Sequence, residues 1–213
     1  MQAIERMSLS NDWLTLILLF LFLSLFLLSI IDVDRFKEVA SKLFKFSFLE
    51  RRIDQNYSVF SGFHMLFTLF SVSVFSLLFF DIKVFYYGVD SFSFHEFTGV
   101  FWMVFIYFLV KIIIENVLIY LFMLRKQLVY FVLSKANYFF AISCYLFILI
   151  LLKEYANLQS TVIYYIAGFL FFISFILHFL NNKNLIINHL FYFILYICTF
   201  EIAPLLILFK LMF

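Results

Sequence analysis

Two ionisable side chains lie where a lipid-embedded helix normally carries none. Lys111 and Glu115 stand near the middle of residues 97–124, a segment that is otherwise almost wholly apolar. As an α-helix this segment would extend roughly 42 Å, more than the ~30 Å hydrocarbon core of a bilayer. Charges at mid-depth are costly, and in membrane proteins they mark ion, proton or ligand sites by default. These two residues are therefore the first candidate site.

The spacing of the two charges allows them to neutralise each other. Lys111 and Glu115 are four residues apart, so they share one face of a helix. Lysine before glutamate is the weaker order for such a pair, which indicates that one of them has a partner on another helix. Asn116 adds a hydrogen-bonding amide at the same depth. Two interpretations follow: a structural ion pair that fixes helix packing, or a ligand or proton site.

The last apolar segment carries a second polar group, formed by Thr199, Glu201 and Pro204. Pro204 has no N–H, so the carbonyl four residues earlier loses its donor and the helix should kink. A carboxyl, a hydroxyl and an unpaired carbonyl then lie within about one turn. Such a group could hold a cation, a proton or the ammonium of Lys111, or could be purely structural. We hypothesise that Lys111, Glu115 and Glu201 form one intramembrane network, because isolated charges in lipid are unfavourable.

Histidine and cysteine residues form no recognisable metal or redox motif. His64 and His178 lie near the ends of apolar segments, and each is interpreted as a packed histidine, because no HxxxH or HExxH spacing is present. Cys144 and Cys198 lie in apolar segments without a CxxC spacing. A phosphate-binding loop, a nucleophile elbow and a dinucleotide fingerprint are missing as well. We therefore expect no catalytic residue, no metal and no cofactor.

The composition is that of a chain that uses lipid as its solvent. Of the 213 residues, 66% are hydrophobic, and the mean hydropathy is +1.09. A soluble domain is usually about 45–50% apolar, and one soluble core of this size cannot bury the excess. The net charge is only +2, so the chain has no basic field for nucleic acid. We expect the lipid bilayer, and not a nucleic acid, to be its partner.

Six apolar segments approach or exceed the length that crosses a bilayer. They are residues 13–31, 57–80, 97–124, 136–155, 161–180 and 186–209. The apolar part of the fourth is only 15 residues long and ends before Lys153, so this span must extend at one end. The alternation of barrel strands is missing, which leaves helices as the structure that satisfies the backbone in lipid. The sequence predicts an all-α, polytopic transmembrane helix bundle with six spans in one domain, residues 1–213.

The connection between the first two spans has an amphipathic pattern. Apolar residues such as Phe36, Val39 and Ala40 recur at helical spacing among polar ones. We predict a helix at about residues 35–50 on the cytoplasmic membrane surface, with docking to a soluble partner as the alternative. Its basic side chains would meet anionic lipid head groups. They are Arg35, Lys37, Lys42, Lys45, Arg51 and Arg52. Residues 127–134 are expected to form a second, shorter interfacial or re-entrant segment.

Basic residues are distributed unequally between the two sides of the membrane. One side carries ten lysines and arginines and the other four, while Lys111 lies within the membrane. The ten are Arg35, Lys37, Lys42, Lys45, Arg51, Arg52, Arg125, Lys126, Lys135 and Lys183, and the four are Arg6, Lys83, Lys153 and Lys210. The positive-inside rule therefore places both termini outside the cytoplasm. The first span is expected to be a retained anchor rather than a cleaved signal peptide.

Residues 191–204, which read FYFILYICTFEIAP, resemble the C-terminal signature of a protein family. The family is an uncharacterised one of Bacteroidota inner membranes, the domain of unknown function numbered 4271. Residues 11–13, 61–63 and 111–115 resemble it as well. The resemblance implies a six-span protein of the cytoplasmic membrane of a Gram-negative cell, and it supplies no catalytic residue. The positions that match the polar pattern of the family are Lys111, Glu115, Glu201 and Pro204.

Two functions fit these features. The first is a non-enzymatic membrane protein that docks other envelope proteins, as an accessory or scaffold subunit of an export or secretion assembly. Short loops, an aromatic-rich surface and the amphipathic helix favour it. The alternative is a small ion- or proton-coupled transporter that uses Lys111, Glu115 and Glu201. With only 4 glycines and 1 proline, the chain lacks the interrupted spans that transporters tend to use. Either protein would lie in the bacterial inner membrane with both termini periplasmic.

Overall fold

The computed structural model describes residues 12–41, 62–87, 93–121, 125–156, 158–181 and 210, without the side chains of 118–121 and 125–131. Every secondary-structure element within these ranges is an α-helix. The helices are α1 (Asp12–Ile31), α2 (Val33–Ser41), α3 (Gly62–Tyr87), α4 (Phe94–Leu121), α5 (Arg125–Ala156) and α6 (Ser160–Asn181).

Five of these helices, α1 and α3 to α6, are long and apolar enough to cross a membrane. The predicted all-helical class is therefore confirmed for the described part of the chain, and five of its helices have the length and hydropathy that membrane spans need. The sixth predicted span, 186–209, lies outside the described residues. Residues 42–50 of the predicted amphipathic helix lie outside them too.

The start of α5 differs from the sequence-based expectation. Residues 127–134 do not form a separate interfacial or re-entrant segment, because they are the first turns of a single helix of 32 residues. No glycine or proline interrupts the chain from Arg125 to Ala156, so nothing in the backbone ends the helix at the edge of the apolar run. Lys135 consequently lies within the part of α5 that can span the membrane, Val132–Ala156.

Helix α3 is the centre of the bundle and the most buried of the five long helices. It packs against α1, α4 and α5, and aromatic rings fill the seam with α5. The ring centroids of Phe67 and Phe140 are 4.6 Å apart, and those of Phe75 and Phe139 are 4.3 Å apart. Stacked pairs of this kind stabilise by more than their buried area alone. The core therefore lies between α3 and α5, which fixes the side chains that both helices carry.

Contacts along this seam show that α3 and α5 run parallel. The hydroxyl oxygens of Ser71 and Ser143 are 2.8 Å apart, and ten residues further along each helix Asp81 meets Lys153. Small hydroxyl residues permit the close approach, as is common between helices in membranes. Since α3 and α5 are parallel, α4 must return antiparallel between them.

Helix α2 is held against the bundle by its apolar face. Val39 is buried, the ring of Phe36 stacks on Phe67 at 6.4 Å, and Tyr145 Oη donates to the carbonyl of Ala40 at 2.6 Å. The polar side points away, with Lys37 exposed. The amphipathic pattern thus serves contact with α3 and α5, whereas the sequence led us to expect this face to lie on lipid.

Candidate functional site

Glu115 forms an ion pair with Lys135 on the neighbouring helix. Lys135 Nζ donates to Glu115 Oε1 at 2.8 Å, and the two side chains are only 17% and 13% exposed, respectively. The pair joins α4 to α5, as the weak Lys-then-Glu order had led us to expect for one of the two charges. The ammonium of Lys111 lies 5.9 Å from the ring centroid of Tyr107, within range of a cation–π interaction.

Sequence reasoning had placed Lys135 among the cytoplasmic charges and did not identify it as a partner of Glu115. The signal was present, because the fourth span was too short unless it extended back through Lys135. A carboxylate and an ammonium that are both largely removed from water stabilise each other, because breaking such a pair leaves an uncompensated charge. The contact therefore fixes how α4 and α5 are rotated about their axes.

A cleft of about 570 Å³ opens beside this ion pair, between α3, α4 and α5. We call it the α3–α4–α5 cleft. Its lining is apolar apart from a few side chains, which are His64, Thr68, Glu115 and Asn116. A smaller cavity of about 100 Å³ shares Thr68 and Glu115 with the cleft and is also lined by Lys111 and Lys135. The predicted polar residues of α4 thus lie at a cavity, as a functional site requires.

Two polar side chains of the cleft differ in how their hydrogen bonds are satisfied. Asn116 donates from Nδ2 to the carbonyl of Ile112 in its own helix, at 3.0 Å. His64 is 9% exposed, and its Nε2 is buried without a hydrogen-bond partner among the described residues. The imidazole packs between the rings of Phe63 and Phe140, with centroid distances of 6.0 Å to each. His64 is therefore packed among aromatic rings, as predicted, but its Nε2 atom has no hydrogen bond within the part of the chain that the structure describes.

A second interhelical ion pair lies at the other end of α5, and the sequence analysis did not identify it. Lys153 Nζ contacts Asp81 Oδ1, and Tyr164 Oη donates to Asp81 Oδ2 at 2.8 Å. These three residues belong to α5, α3 and α6, so the cluster joins three helices. Lys135 and Lys153 are 18 residues apart on one helix, a rise of roughly 27 Å. The two ion pairs therefore lie near opposite ends of the candidate spans. Glu115 is close to the end of Phe94–Val117, whereas the sequence led us to expect it at mid-depth.

A third polar contact joins the end of α6 to α5. Asn181 Nδ2 contacts Tyr138 Oη, and the His178 ring packs edge-on against the Tyr138 ring with centroids 5.7 Å apart. This environment is consistent with the prediction that His178 is a packed residue. Among the part of the chain that the structure describes, no group of three His, Cys, Asp or Glu residues could hold a metal ion.

Several predicted residues lie outside the described ranges. They are Thr199, Glu201 and Pro204 of the last segment, and Lys42, Lys45, Arg51 and Arg52 of the basic connection. The network of Lys111, Glu115 and Glu201 therefore stays a prediction. Of the basic group, Arg35 and Lys37 are placed on α2, where Arg35 Nε lies 2.9 Å from Asp32 Oδ2.

The described helices, five of them long and apolar enough to cross a membrane, fit the class of multi-pass helical membrane proteins. The family within this class is identified by the sequence. The chain belongs to the family described as Domain of unknown function (DUF4271), whose model matches residues 14–212. No curated protein matches the chain, and no solved structure does. The family resemblance seen at residues 191–204 is thus confirmed over almost the whole length.

Proposed function

We propose that this protein is a non-enzymatic, integral protein of a bacterial inner membrane. It would act as an accessory or scaffold subunit of a cell-envelope assembly concerned with protein export or secretion. The observation that supports a scaffold best is the pair of interhelical ion pairs, Glu115–Lys135 and Asp81–Lys153. They hold α3, α4 and α5 in one arrangement, because separating these helices would leave charges unpaired in lipid. Helix α6 joins them through the hydrogen bond from Tyr164 to Asp81.

The outer faces of this bundle offer apolar contact area. On α6, the side chains of Tyr165, Phe169 and Phe172 are exposed. On α4, the same is true of Trp102 and Ile106. Large aromatic side chains are the residues that most often carry the binding energy of protein interfaces. A rigid bundle with aromatic outer faces is suited to dock other membrane proteins.

In the proposed arrangement the chain crosses the membrane six times, with residues 186–209 as the last span. Helix α2 lies at the cytoplasmic interface, where Arg35 and Lys37 and the basic residues that follow face anionic head groups. Both termini are then periplasmic. The asymmetry of basic residues supports this orientation.

A second candidate function has its own support. Glu115 and Lys135 border both the cleft of about 570 Å³ and the smaller cavity of about 100 Å³. Ionisable residues that line an intramembrane cavity are typical of ion and proton pathways. An ion- or proton-coupled transporter that uses Lys111, Glu115 and Glu201 is therefore the alternative.

Affinity purification of the full chain in mild detergent, followed by mass spectrometry, tests the scaffold. We expect stable envelope partners to co-purify, and we expect replacement of Tyr165, Phe169 and Phe172 by leucine to remove them. The matched control replaces Phe20, Phe22 and Phe26, exposed residues of α1, by leucine and should retain the partners. A monomer without partners, whose Glu115→Gln variant folds normally but loses an ion-coupled flux in liposomes, would support the transporter instead.

A further inference from the structure

The α3–α4–α5 cleft reaches the outer surface of the bundle. Leu69 of α3 and Leu109 of α4 both line it, and both are 43% exposed. Met65, another lining residue, is exposed as well. These residues belong to helices that can cross the membrane, so the cleft opens toward lipid. A molecule dissolved in the bilayer could enter it without passing through water.

The size of the cleft matches a single hydrocarbon chain. Its volume of about 570 Å³ is within the range of about 300–1,000 Å³ that is usual for small-molecule sites. A methylene group is about as large as a water molecule, which occupies about 30 Å³ in the liquid. The cleft therefore holds roughly twenty such groups. Apolar walls from three helices would replace the lipid contacts of that chain.

The polar side chains of the cleft select a neutral head group. The charge of Glu115 is already paired with Lys135, so the cleft gains little from a second charge, whose burial would be costly. His64 offers a different interaction, because its imidazole lines the cleft and is nine-tenths buried, with Nε2 unpartnered among the described residues. An unmet buried hydrogen bond is destabilising, and a ligand hydroxyl or carbonyl that pairs with Nε2 would recover the loss.

We propose that the α3–α4–α5 cleft binds a neutral, single-chain amphiphile whose hydroxyl or carbonyl group pairs with His64. The hydrocarbon chain lies along Leu69 and Leu109, and the polar group lies at the imidazole. This site is independent of the scaffold role, because it needs no protein partner.

The test uses the full chain in liposomes with octadecanol that carries a mid-chain diazirine for photo-crosslinking. We expect saturable labelling of α3, α4 and α5 peptides that line the cleft. Unlabelled octadecanol should compete about three- to tenfold better than octadecane or octadecanoate, because neither of these supplies a neutral hydroxyl. Labelling that does not saturate, or that octadecanoate suppresses better than octadecanol, would overturn the proposal.

Two variants on neighbouring positions of α4 locate the site. Leu109 lines the cleft, whereas Val110, 49% exposed and at the same depth, is not part of its lining. Leu109→Trp should fill the entrance and lower labelling by about tenfold, because the added ring takes the space of the chain. Val110→Trp should leave labelling unchanged. Equal labelling of the two variants would contradict the proposed site.

A third variant tests the hydrogen bond. His64→Phe keeps an aromatic ring between Phe63 and Phe140 but removes both nitrogens. It should weaken competition by octadecanol about three- to tenfold, the worth of one hydrogen bond, and leave competition by octadecane unchanged. If octadecanol still competes as well as in the wild type, His64 is not its partner and the proposal fails. Thermal melts of all three variants in detergent check that each one is folded.

Discussion

Glu115 was visible in the sequence because it interrupts an apolar run, but its partner was not. Which lysine reaches it depends on how α4 and α5 are rotated against each other, and hydropathy does not encode that rotation. Asp81 and Lys153 were missed for another reason. Each stands where an apolar run ends, and charges that flank a span are ordinary there. Their pairing became apparent only when α3 and α5 proved to be parallel.

The first prediction concerns the Glu115–Lys135 ion pair. Glu115→Gln and Lys135→Met should each destabilise the bundle by about 1–3 kcal/mol, because each leaves one charge in a largely buried site without its partner. The double variant should cost less than the sum of the two, since both charges of the pair are removed together. Unfolding by SDS in mixed micelles measures these free energies. Strictly additive losses would contradict a direct pair, and Lys37→Gln on the exposed side of α2 is the control, which should change stability little.

The second prediction concerns the phenol that donates to Asp81. Tyr164→Phe should lower the free energy of unfolding by about 1–3 kcal/mol, because a hydrogen bond to a charged carboxylate is lost. The next residue, Tyr165, is 77% exposed and provides the matched control. Tyr165→Phe should change stability by less than about 0.5 kcal/mol, as surface substitutions usually do. The same unfolding assay applies, and equal effects of the two variants would show that the contact is not made in the membrane.

At the scale of the helices, hydropathy predicted the spans well because lipid permits few alternatives. Segments 13–31 and 161–180 correspond closely to α1 and α6, because polar residues flank each of these apolar segments on both sides. The predicted start of the fourth span was wrong. The residues from Arg125 onward are more polar than the span itself, but a helix can continue beyond the hydrocarbon core, as α5 does. The packing of α2 could not be predicted, since an amphipathic face fits a lipid surface and a protein surface equally well.

The third prediction tests whether α2 is held by the bundle. Tyr145→Phe removes the hydrogen bond to the carbonyl of Ala40, so α2 should detach more often. In a background without native cysteines, Val39→Cys should then react with a maleimide about fivefold faster, the effect of roughly 1 kcal/mol on an opening equilibrium. Lys37→Cys is exposed in either state, so its rate should not change. Unchanged reactivity at Val39→Cys would mean that other contacts hold α2.

At the scale of the whole molecule, the positive-inside rule counts basic residues in the loops and at the membrane surfaces, not those inside the spans. Lys135 and Lys153 are engaged in ion pairs within the spans, so neither should be counted as a loop charge. Removing one from each side changes ten against four into nine against three. The asymmetry is therefore preserved, and it still favours the side that carries Arg35 and Lys37 as cytoplasmic.

The last prediction separates the number of crossings from their direction. Lys37 precedes α3, His95 is the second residue of α4, and Leu158 follows α5; all three are exposed. One crossing separates Lys37 from His95, and three crossings separate Lys37 from Leu158. His95 and Leu158 should therefore lie on the same side of the membrane, opposite to Lys37. Single cysteines at these positions, in a background without Cys144 and Cys198, can be labelled with a membrane-impermeant maleimide.

In intact cells with a permeabilised outer membrane, the cysteines at 95 and 158 should react, whereas the one at 37 should react only after the inner membrane is opened. The reverse result would keep the three crossings and overturn the orientation, because both remaining positions would still differ from 37. Reaction of all three from one side would overturn the crossings themselves, since α3, α4 and α5 could not then each pass through the membrane.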